Sequence, residues 1–214
     1  MENDPSFSSS KELAFSFDDY LKYQSDVRSY NENNDDIVFF NESGVHAAIV
    51  INELIKRAIK ARKHIEMFCG TFYLFRDEFC KNIEETKVKL GVSEVEWEKF
   101  DPAKRLGESL TEFFASDLQM HVVLQKKDAF AQIKSDSKWT DYKQYMGNGL
   151  LHFYQLDSDV RTGLNHFIVS GTSYRKENSD EEKTAMCSFN RPKYAKACRK
   201  DFRAILNKSK ECRV

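Results

Sequence analysis

Three polar residues in the second half of the chain have the chemistry to act on a phosphate group. His166 stands at the start of a short apolar run, and Ser188 and Asn190 form a Ser-x-Asn pair 22 residues further on. An imidazole can attack phosphorus or transfer a proton, and hydroxyl and amide groups can hold the surrounding oxygens. If two adjacent strands carry these groups to one end of a sheet, the three residues form a phosphoryl site with catalytic potential.

Two charged residues between them could complete such a site. Arg175 and Glu177 alternate with Tyr174 and Lys176 along a predicted strand. If Arg175 points to the side of His166, its guanidinium can bind phosphate in a bidentate manner. Glu177 is then placed to orient His166 through its second ring nitrogen. The alternative interpretation is an exposed ion pair between Arg175 and Glu177, which would contribute little to stability.

Each member of the predicted site also has a purely structural interpretation. A histidine at the start of a strand is often a packed or hydrogen-bonded core residue, and Ser188 could satisfy a backbone group at a strand end. Asn190 precedes Arg191 and Pro192, where asparagine is a preferred N-cap and proline a preferred early helical residue. The two interpretations of Asn190 are compatible, because a helix N-terminus also attracts phosphate.

The order of predicted elements indicates an α/β domain with a mixed central sheet flanked by helices. Apolar spacing predicts helices over 12–30, 44–62 and 72–90, one starting at Pro102 and a closing one from Arg191. Apolar runs predict strands over 37–40, 64–69, 118–124, 150–156, 164–170, 173–177 and 185–188. The turn at Gly171-Thr172 predicts a hairpin, so the sheet should contain antiparallel pairs.

Basic residues are concentrated at three places along the chain. Lys126 and Lys127 follow the strand 118–124, at the sheet edge where α/β proteins bind ligands, and are predicted to bind phosphate. Residues 191–214 hold nine basic and two acidic side chains, which fits either a phosphate-binding surface or a solvated helix face. The helix over 44–62 is predicted to turn its polar side chains to water, namely Asn52, Glu53, Lys56, Arg57 and Lys60.

Composition sets the class of protein. A chain of 214 residues with 41% hydrophobic residues suits one domain of ordinary size, over 41–214, preceded by an acidic and partly flexible segment over 1–40. Five scattered cysteines and isolated histidines predict neither a disulfide framework nor a metal site. The polar start of the chain is unlike a signal peptide and no apolar run reaches membrane-spanning length, so a cytoplasmic protein is expected.

The pattern of His166, Ser188 and Asn190 resembles one half of a phospholipase D-like site. The pattern of that superfamily is His-x-Lys-x4-Asp followed by Gly-Ser-x-Asn. In this chain the lysine position is Ile168 and the aspartate position is Ser173. The resemblance covers roughly residues 40–210 and rests on the order of elements together with these residues. The resemblance is to a degenerate member of the superfamily, in which part of the set of residues that holds the phosphate is missing.

The resemblance implies a metal-independent and cofactor-free site for phosphodiesters, either phospholipid head groups or nucleic acid. In such enzymes one histidine attacks phosphorus and the histidine of a second half protonates the leaving group, so an active form would be a homodimer. Two functions follow. The first is a phosphate- or nucleic-acid-binding or regulatory subunit, by analogy in a bacterial defence system with an operon partner. The second is a metal-independent phosphodiesterase, a nuclease, with His166 as nucleophile.

Overall fold

The computed structural model describes residues 15–158, 160, 162–178 and 184–214. Part of the predicted acidic N-terminal segment therefore lies outside the described residues. The α-helices are α1 (Phe17–Asn33), α2 (Gly44–Ala61), α3 (Asp77–Leu90), α4 (Glu94–Phe100), α5 (Pro102–Ala115), α6 (Ala129–Lys134), α7 (Trp139–Gly147) and α8 (Pro192–Leu206). The strands are β1 (Phe39–Asn41), β2 (Ile65–Cys69), β3 (Met120–Leu124), β4 (Leu151–Leu156), β5 (Phe167–Ser170), β6 (Ser173–Glu177), β7 (Ala185–Ser188) and β8 (Ser209–Glu211).

All of these strands join one sheet, in the order β1-β7-β6-β5-β2-β3-β4-β8. Strands β2, β3 and β4 are mutually parallel, and the remaining pairs are antiparallel. Ser170 pairs with Ser173 across the turn, so the hairpin predicted at Gly171-Thr172 is confirmed. The predicted fold class, an α/β domain with a mixed sheet flanked by helices, is confirmed as well.

The two faces of the sheet are covered by different helices. One face contributes Met67, Val122 and Ile168 to a large core shared with α1, α2 and α5. The other face contributes Phe68 and Val123 to a smaller core under α8. Neighbouring residues along each strand point to opposite faces, which is why both sides of β2 and β3 are apolar. Polar groups therefore reach the surface at the two ends of the strands. We call these two rows of strand ends the two edges of the sheet.

Helix α2 departs from the predicted pattern of exposure. Asn52 and Glu53 were expected to face water, but they are 5% and 3% exposed. The prediction was wrong because helices pack on α2 from two sides. Asn31 of α1 donates from Nδ2 to Glu53 Oε2 at 3.0 Å, and the Ser109 hydroxyl of α5 contacts the Asn52 amide at 2.6 Å. These polar contacts tie α2 to α1 on one side and to α5 on the other.

Candidate functional site

His166 lies between a carboxylate and an amide at one edge of the sheet. It precedes β5, and its carbonyl accepts from the backbone N–H of Glu177 at 2.9 Å, so the two residues face each other across β5 and β6. The side chains meet as well, with His166 Nδ1 2.9 Å from Glu177 Oε2. Gln125, which directly follows β3, places Oε1 2.8 Å from His166 Nε2. Both ring nitrogens are therefore engaged, and the ring orientation is fixed.

The carboxylate of Glu177 also contacts a buried cation. Arg175 is 4% exposed, and its Nη1 lies 3.3 Å from Glu177 Oε1 while its Nε donates to Asn41 Oδ1 at 2.8 Å. Burial alone would raise the pKa of Glu177, but the hydrogen bond with His166 and the charge of Arg175 outweigh it and hold that pKa below its usual value. Arg175 therefore contacts Glu177 and Asn41 from inside the core. Its guanidinium is not exposed to solvent and does not offer itself to a phosphate.

Lys126 lies at the same edge as His166. A Cβ atom placed on Gly70, just after β2, would lie 3.4 Å from His166 Cε1 and 3.8 Å from Lys126 Cε. Lys127 is the next residue and is exposed. The prediction that this lysine pair lies at the carboxyl ends of the parallel strands is confirmed. Sequence reasoning missed Gln125, although its position immediately before Lys126 placed it at the same strand end.

Ser188 and Asn190 lie at the opposite edge of the sheet from His166. The predicted site requires the strands that carry these residues to be adjacent, and they are not, because β6 lies between β5 and β7. Glu177 is opposite His166 and pairs with Ala185, so Ser188 is three residues further along β7. With about 3.3 Å per residue along a strand and about 4.8 Å between strands, the Cα atoms of His166 and Ser188 are about 14 Å apart. One phosphate group cannot contact both side chains.

The surroundings of Asn190 differ from the predicted helix cap. Helix α8 begins at Pro192 with Arg191 in the cap position, and no side chain caps it. Asn190 instead donates from Nδ2 to the carbonyl of Asn34 at 3.1 Å, and its backbone N–H donates to Ser188 Oγ at 3.4 Å. Asn190 therefore ties the end of β7 to the end of α1.

Ile168 and Ser173, the two positions that depart from the superfamily pattern, are both buried. Ile168 is 1% exposed and packs on the face of the sheet covered by α2. Ser173 is also buried, and its hydroxyl donates to the carbonyl of Phe189 at 2.9 Å. Neither position offers a charged group to a ligand.

A basic cleft opens at the same edge as Ser188 and Asn190. We use "basic cleft" for the cavity of about 770 Å³ between the C-terminal halves of α1 and α2 and the β5–β6 turn. Its basic lining residues are Arg28, Lys56, Arg57, Lys60 and Lys63. Its acidic lining residues are Glu32 and Glu53. Asn34, the partner of Asn190, lines it as well.

The cations of the basic cleft fall into two groups. Lys56 bonds Glu53 Oε1 at 2.8 Å, and Arg57 donates to the carbonyl of Asn31 at 3.0 Å and to the side chain of Asn34. The other cations, Arg28, Lys60 and Lys63, have no carboxylate within ion-pair distance among the described residues. The sequence did carry a signal, because Lys56 and Lys60 follow the i, i+4 spacing of one face of α2 and Lys63 comes two residues after that helix.

Two further findings concern the described part of the chain. Over these ranges, no three His, Cys, Asp or Glu side chains approach closely enough to hold a metal ion together. No helix within them is both long and apolar enough to cross a lipid bilayer.

The fold thus defines an α/β domain with a histidine–carboxylate pair at one sheet edge and a basic cleft at the other. No protein family and no curated protein matches the chain. Among solved structures it is similar to TrmBL2, an archaeal chromatin protein whose structure is described as showing a novel mode of DNA binding. The TM-score is 0.53 at 10% identity, over 90% of this chain. The chain spans 63% of that neighbour's length, and the likeness concerns the fold alone.

Proposed function

We propose that this protein binds nucleic acid through the phosphate backbone, in the basic cleft, without cleaving it. The observation that carries the proposal is the composition of the cleft, where five cationic side chains meet two carboxylates in a chain whose overall net charge is −1. A local excess of positive charge in a concave surface raises the concentration of polyanions near it. Most of the affinity of proteins for nucleic-acid backbones comes from such contacts.

The contacts inside the basic cleft support a preformed binding surface. Arg57 donates to Asn31 in α1 and to Asn34 at the C-terminal end of that helix. Its guanidinium therefore loses little conformational freedom when a phosphate binds. Glu53 is 3% exposed and already engaged by Lys56, which limits its repulsion of an anion. Lys60 and Lys63 are exposed and remain available for phosphate oxygens.

The structural neighbour is compatible with this proposal. TrmBL2 is described as a chromatin protein with a novel mode of DNA binding, and the similarity in fold extends over 90% of this chain. Because fold does not imply function, the similarity adds to the charge distribution of the cleft and does not replace it.

Cleavage has weaker support than binding. The predicted nuclease site needs His166, Ser188 and Asn190 around one phosphate, and the strand order separates the first from the other two. The phosphodiesterase alternative is favoured by one observation, the contact of His166 with Glu177, which suits a nucleophilic or basic histidine. Phospholipase D-like ancestry, the homodimer, the operon partner and the defence setting stay predictions.

Binding can be tested with fluorescently labelled DNA and RNA by anisotropy over a range of salt concentrations. The variant Arg28→Glu, Lys60→Glu, Lys63→Glu reverses three charges in the basic cleft. We expect its affinity for DNA and RNA to fall at least tenfold. The slope of affinity against salt concentration should decrease by the equivalent of about two to three phosphate contacts. The matched control is Lys89→Glu, Lys99→Glu, Lys143→Glu, which reverses three exposed charges that do not line the cleft. Equal affinities for the two variants would refute the proposal.

The same preparations test the alternative. The nuclease function predicts turnover of DNA or of bis-p-nitrophenyl phosphate in the presence of EDTA. That activity should disappear with His166→Ala and survive the reversal of charges in the cleft when the small substrate is used. If the wild-type protein binds DNA and leaves it intact, the binding function is supported and the nuclease function fails.

A further inference from the structure

We infer that the binding surface continues from the basic cleft across the β5–β6 turn onto the outer face of α8. The ligand is then a nucleic-acid strand long enough to contact both surfaces, and not a mononucleotide or a free phosphate. This inference rests on the proposed function and adds a second surface to it. It assigns a role to the basic C-terminal part of the chain, which the cleft alone does not use.

Gly171 joins the two surfaces. It lines the basic cleft, and a Cβ atom placed on it would lie 3.5 Å from Cγ of Lys63, which belongs to the cleft. On its other side, Arg199 of α8 donates from Nη1 to the carbonyl of Gly171 at 2.5 Å. The backbone of a single turn thus separates a cation of the cleft from a cation of α8. No bulky or acidic side chain of the turn itself stands between them, since the turn consists of Gly171 and Thr172.

The outer face of α8 is rich in basic side chains. The helix buries Ala195, Cys198, Phe202 and Ile205 against the sheet, and this leaves the opposite face to solvent. The exposed cations on that opposite face are Lys193, Lys196, Lys200 and Arg203. We call these four residues the "α8 basic face".

Two acidic groups that pack near α8 lie on its sheet side, away from its basic face. Asp201, the acidic residue of the helix, is turned toward the sheet and lies 3.8 Å from Lys176 of β6. Glu66 of β2 lies beneath the helix near Arg199 and Arg203, and burial raises the pKa of its carboxyl. A strand that approached the α8 basic face from solvent would therefore meet cations first.

The dimensions of the two surfaces set the length of the ligand. Lys56 to Lys60 covers about 6 Å along the axis of α2, and Lys193 to Arg203 covers about 15 Å along α8, at about 1.5 Å per residue. At about 3.4 Å per nucleotide in a stacked strand, these surfaces together correspond to about six nucleotides or more. An oligonucleotide of about three nucleotides can fill only one of them.

The test compares two charge-reversal variants on two lengths of single-stranded DNA. The α8 variant is Lys196→Glu, Lys200→Glu, Arg203→Glu, and it leaves Arg199 and the buried side of α8 unchanged. The cleft variant is Arg28→Glu, Lys60→Glu, Lys63→Glu, and the control is again Lys89→Glu, Lys99→Glu, Lys143→Glu. Circular dichroism and thermal unfolding establish that each variant is folded. The oligonucleotides have lengths of about 3 and about 16 nucleotides, below and above the span of the two surfaces.

We expect the α8 variant to bind the long oligonucleotide at least tenfold more weakly than the control while its binding of the short one changes less than twofold. The cleft variant should lose affinity for both. If the α8 variant binds the long oligonucleotide as the control does, the inference is wrong and the cleft function stands. If the cleft variant retains its affinity for both lengths, the proposed function itself fails. Loss of binding to anionic phosphatidylserine vesicles in the α8 variant, without loss of DNA binding, would assign the α8 basic face to lipid and also overturn the inference.

Discussion

Glu177 contacts His166 and Arg175 with its two carboxylate oxygens, at 2.9 Å and 3.3 Å. One oxygen lies at the surface edge of the sheet and the other turns inward to a guanidinium that is 4% exposed. The orientation of the imidazole and the neutralisation of a buried charge therefore depend on the same side chain. Substitution of Glu177 should change both.

Glu177→Gln is expected to destabilise the protein by about 2–4 kcal/mol, because removing one partner of a buried ion pair leaves the other charge uncompensated. Urea unfolding at pH 7 measures the change. Glu94→Gln is a suitable control, since the Glu94 side chain is 86% exposed and its ion pair with Lys87 should contribute little. A loss below about 0.5 kcal/mol for Glu177→Gln would show that the pair with Arg175 is not important for folding.

The lowered pKa of Glu177 adds a pH dependence of known sign. A carboxyl whose pKa is lower in the folded state contributes stability that is complete above its unfolded pKa, near 4.5, and is lost as the pH falls through the folded value. We expect Glu177→Gln to flatten the acid side of the stability curve below about pH 4.5. Unfolding free energies at closely spaced pH values would show this, and an unchanged slope would contradict it.

The buried His46 predicts a second loss of stability as the pH falls, in a pH range above that of Glu177. It is buried among the rings of Phe15, Tyr20 and Tyr23. Burial lowers its pKa from 6.5 to about 4, against a small opposing effect of the charge of Asp19. The unfolded state therefore binds more protons between these values, and stability should fall by up to about 3 kcal/mol from pH 7 to pH 4 through this residue.

The variant His46→Gln separates this effect from the rest of the molecule. It removes the titrating group and should reduce the dependence of unfolding free energy on pH between about 6.5 and 4. Part of the dependence will remain, because the pKa of His121 is also lowered to about 4, by burial and by the neighbouring His152 and His64. An identical pH profile for His46→Gln and wild type would contradict the prediction.

Ile168 is the position at which the phospholipase D-like pattern has lysine. Ile168→Lys places an ammonium in the core at a site that is 1% exposed, directly opposite Arg175 in the β5–β6 pair. We expect a loss of about 2–4 kcal/mol, with no gain of phosphodiesterase activity. Ile168→Val, which removes one methylene, should cost about 0.5–1.5 kcal/mol. Equal stability of the two variants would mean that the site tolerates charge.

Asn190 is predicted to stabilise the fold and to take no part in any reaction at His166. Asn190→Ala removes the hydrogen bond to the Asn34 carbonyl and should cost about 0.5–1.5 kcal/mol. Any phosphodiester turnover of the wild type should survive in this variant and disappear in His166→Ala. Abolition of turnover by both variants, with folded proteins, would restore the predicted three-residue site and would require an arrangement of strands other than this one.

Much of the fold followed from the sequence because it depends on local patterns. Short apolar runs located β2 and β3, and the adjacent Asp101 and Pro102 located the start of α5, where Asp101 Oδ1 accepts from the Lys104 N–H at 2.9 Å. The short turn at Gly171 predicted the hairpin of β5 and β6. Strand β8 and helix α4 were missed, because three and seven residues carry too little periodicity.

The arrangement of the sites depended on tertiary structure. The sequence placed His166, Ser188 and Asn190 at strand ends, but only the strand order decided which ends share an edge. Because β6 lies between β5 and β7 and each neighbour runs antiparallel, β5 and β7 point the same way, so the start of one and the end of the other are at opposite edges. The basic cleft combines α1, α2 and the β5–β6 turn, and such long-range proximity leaves no local pattern in the sequence.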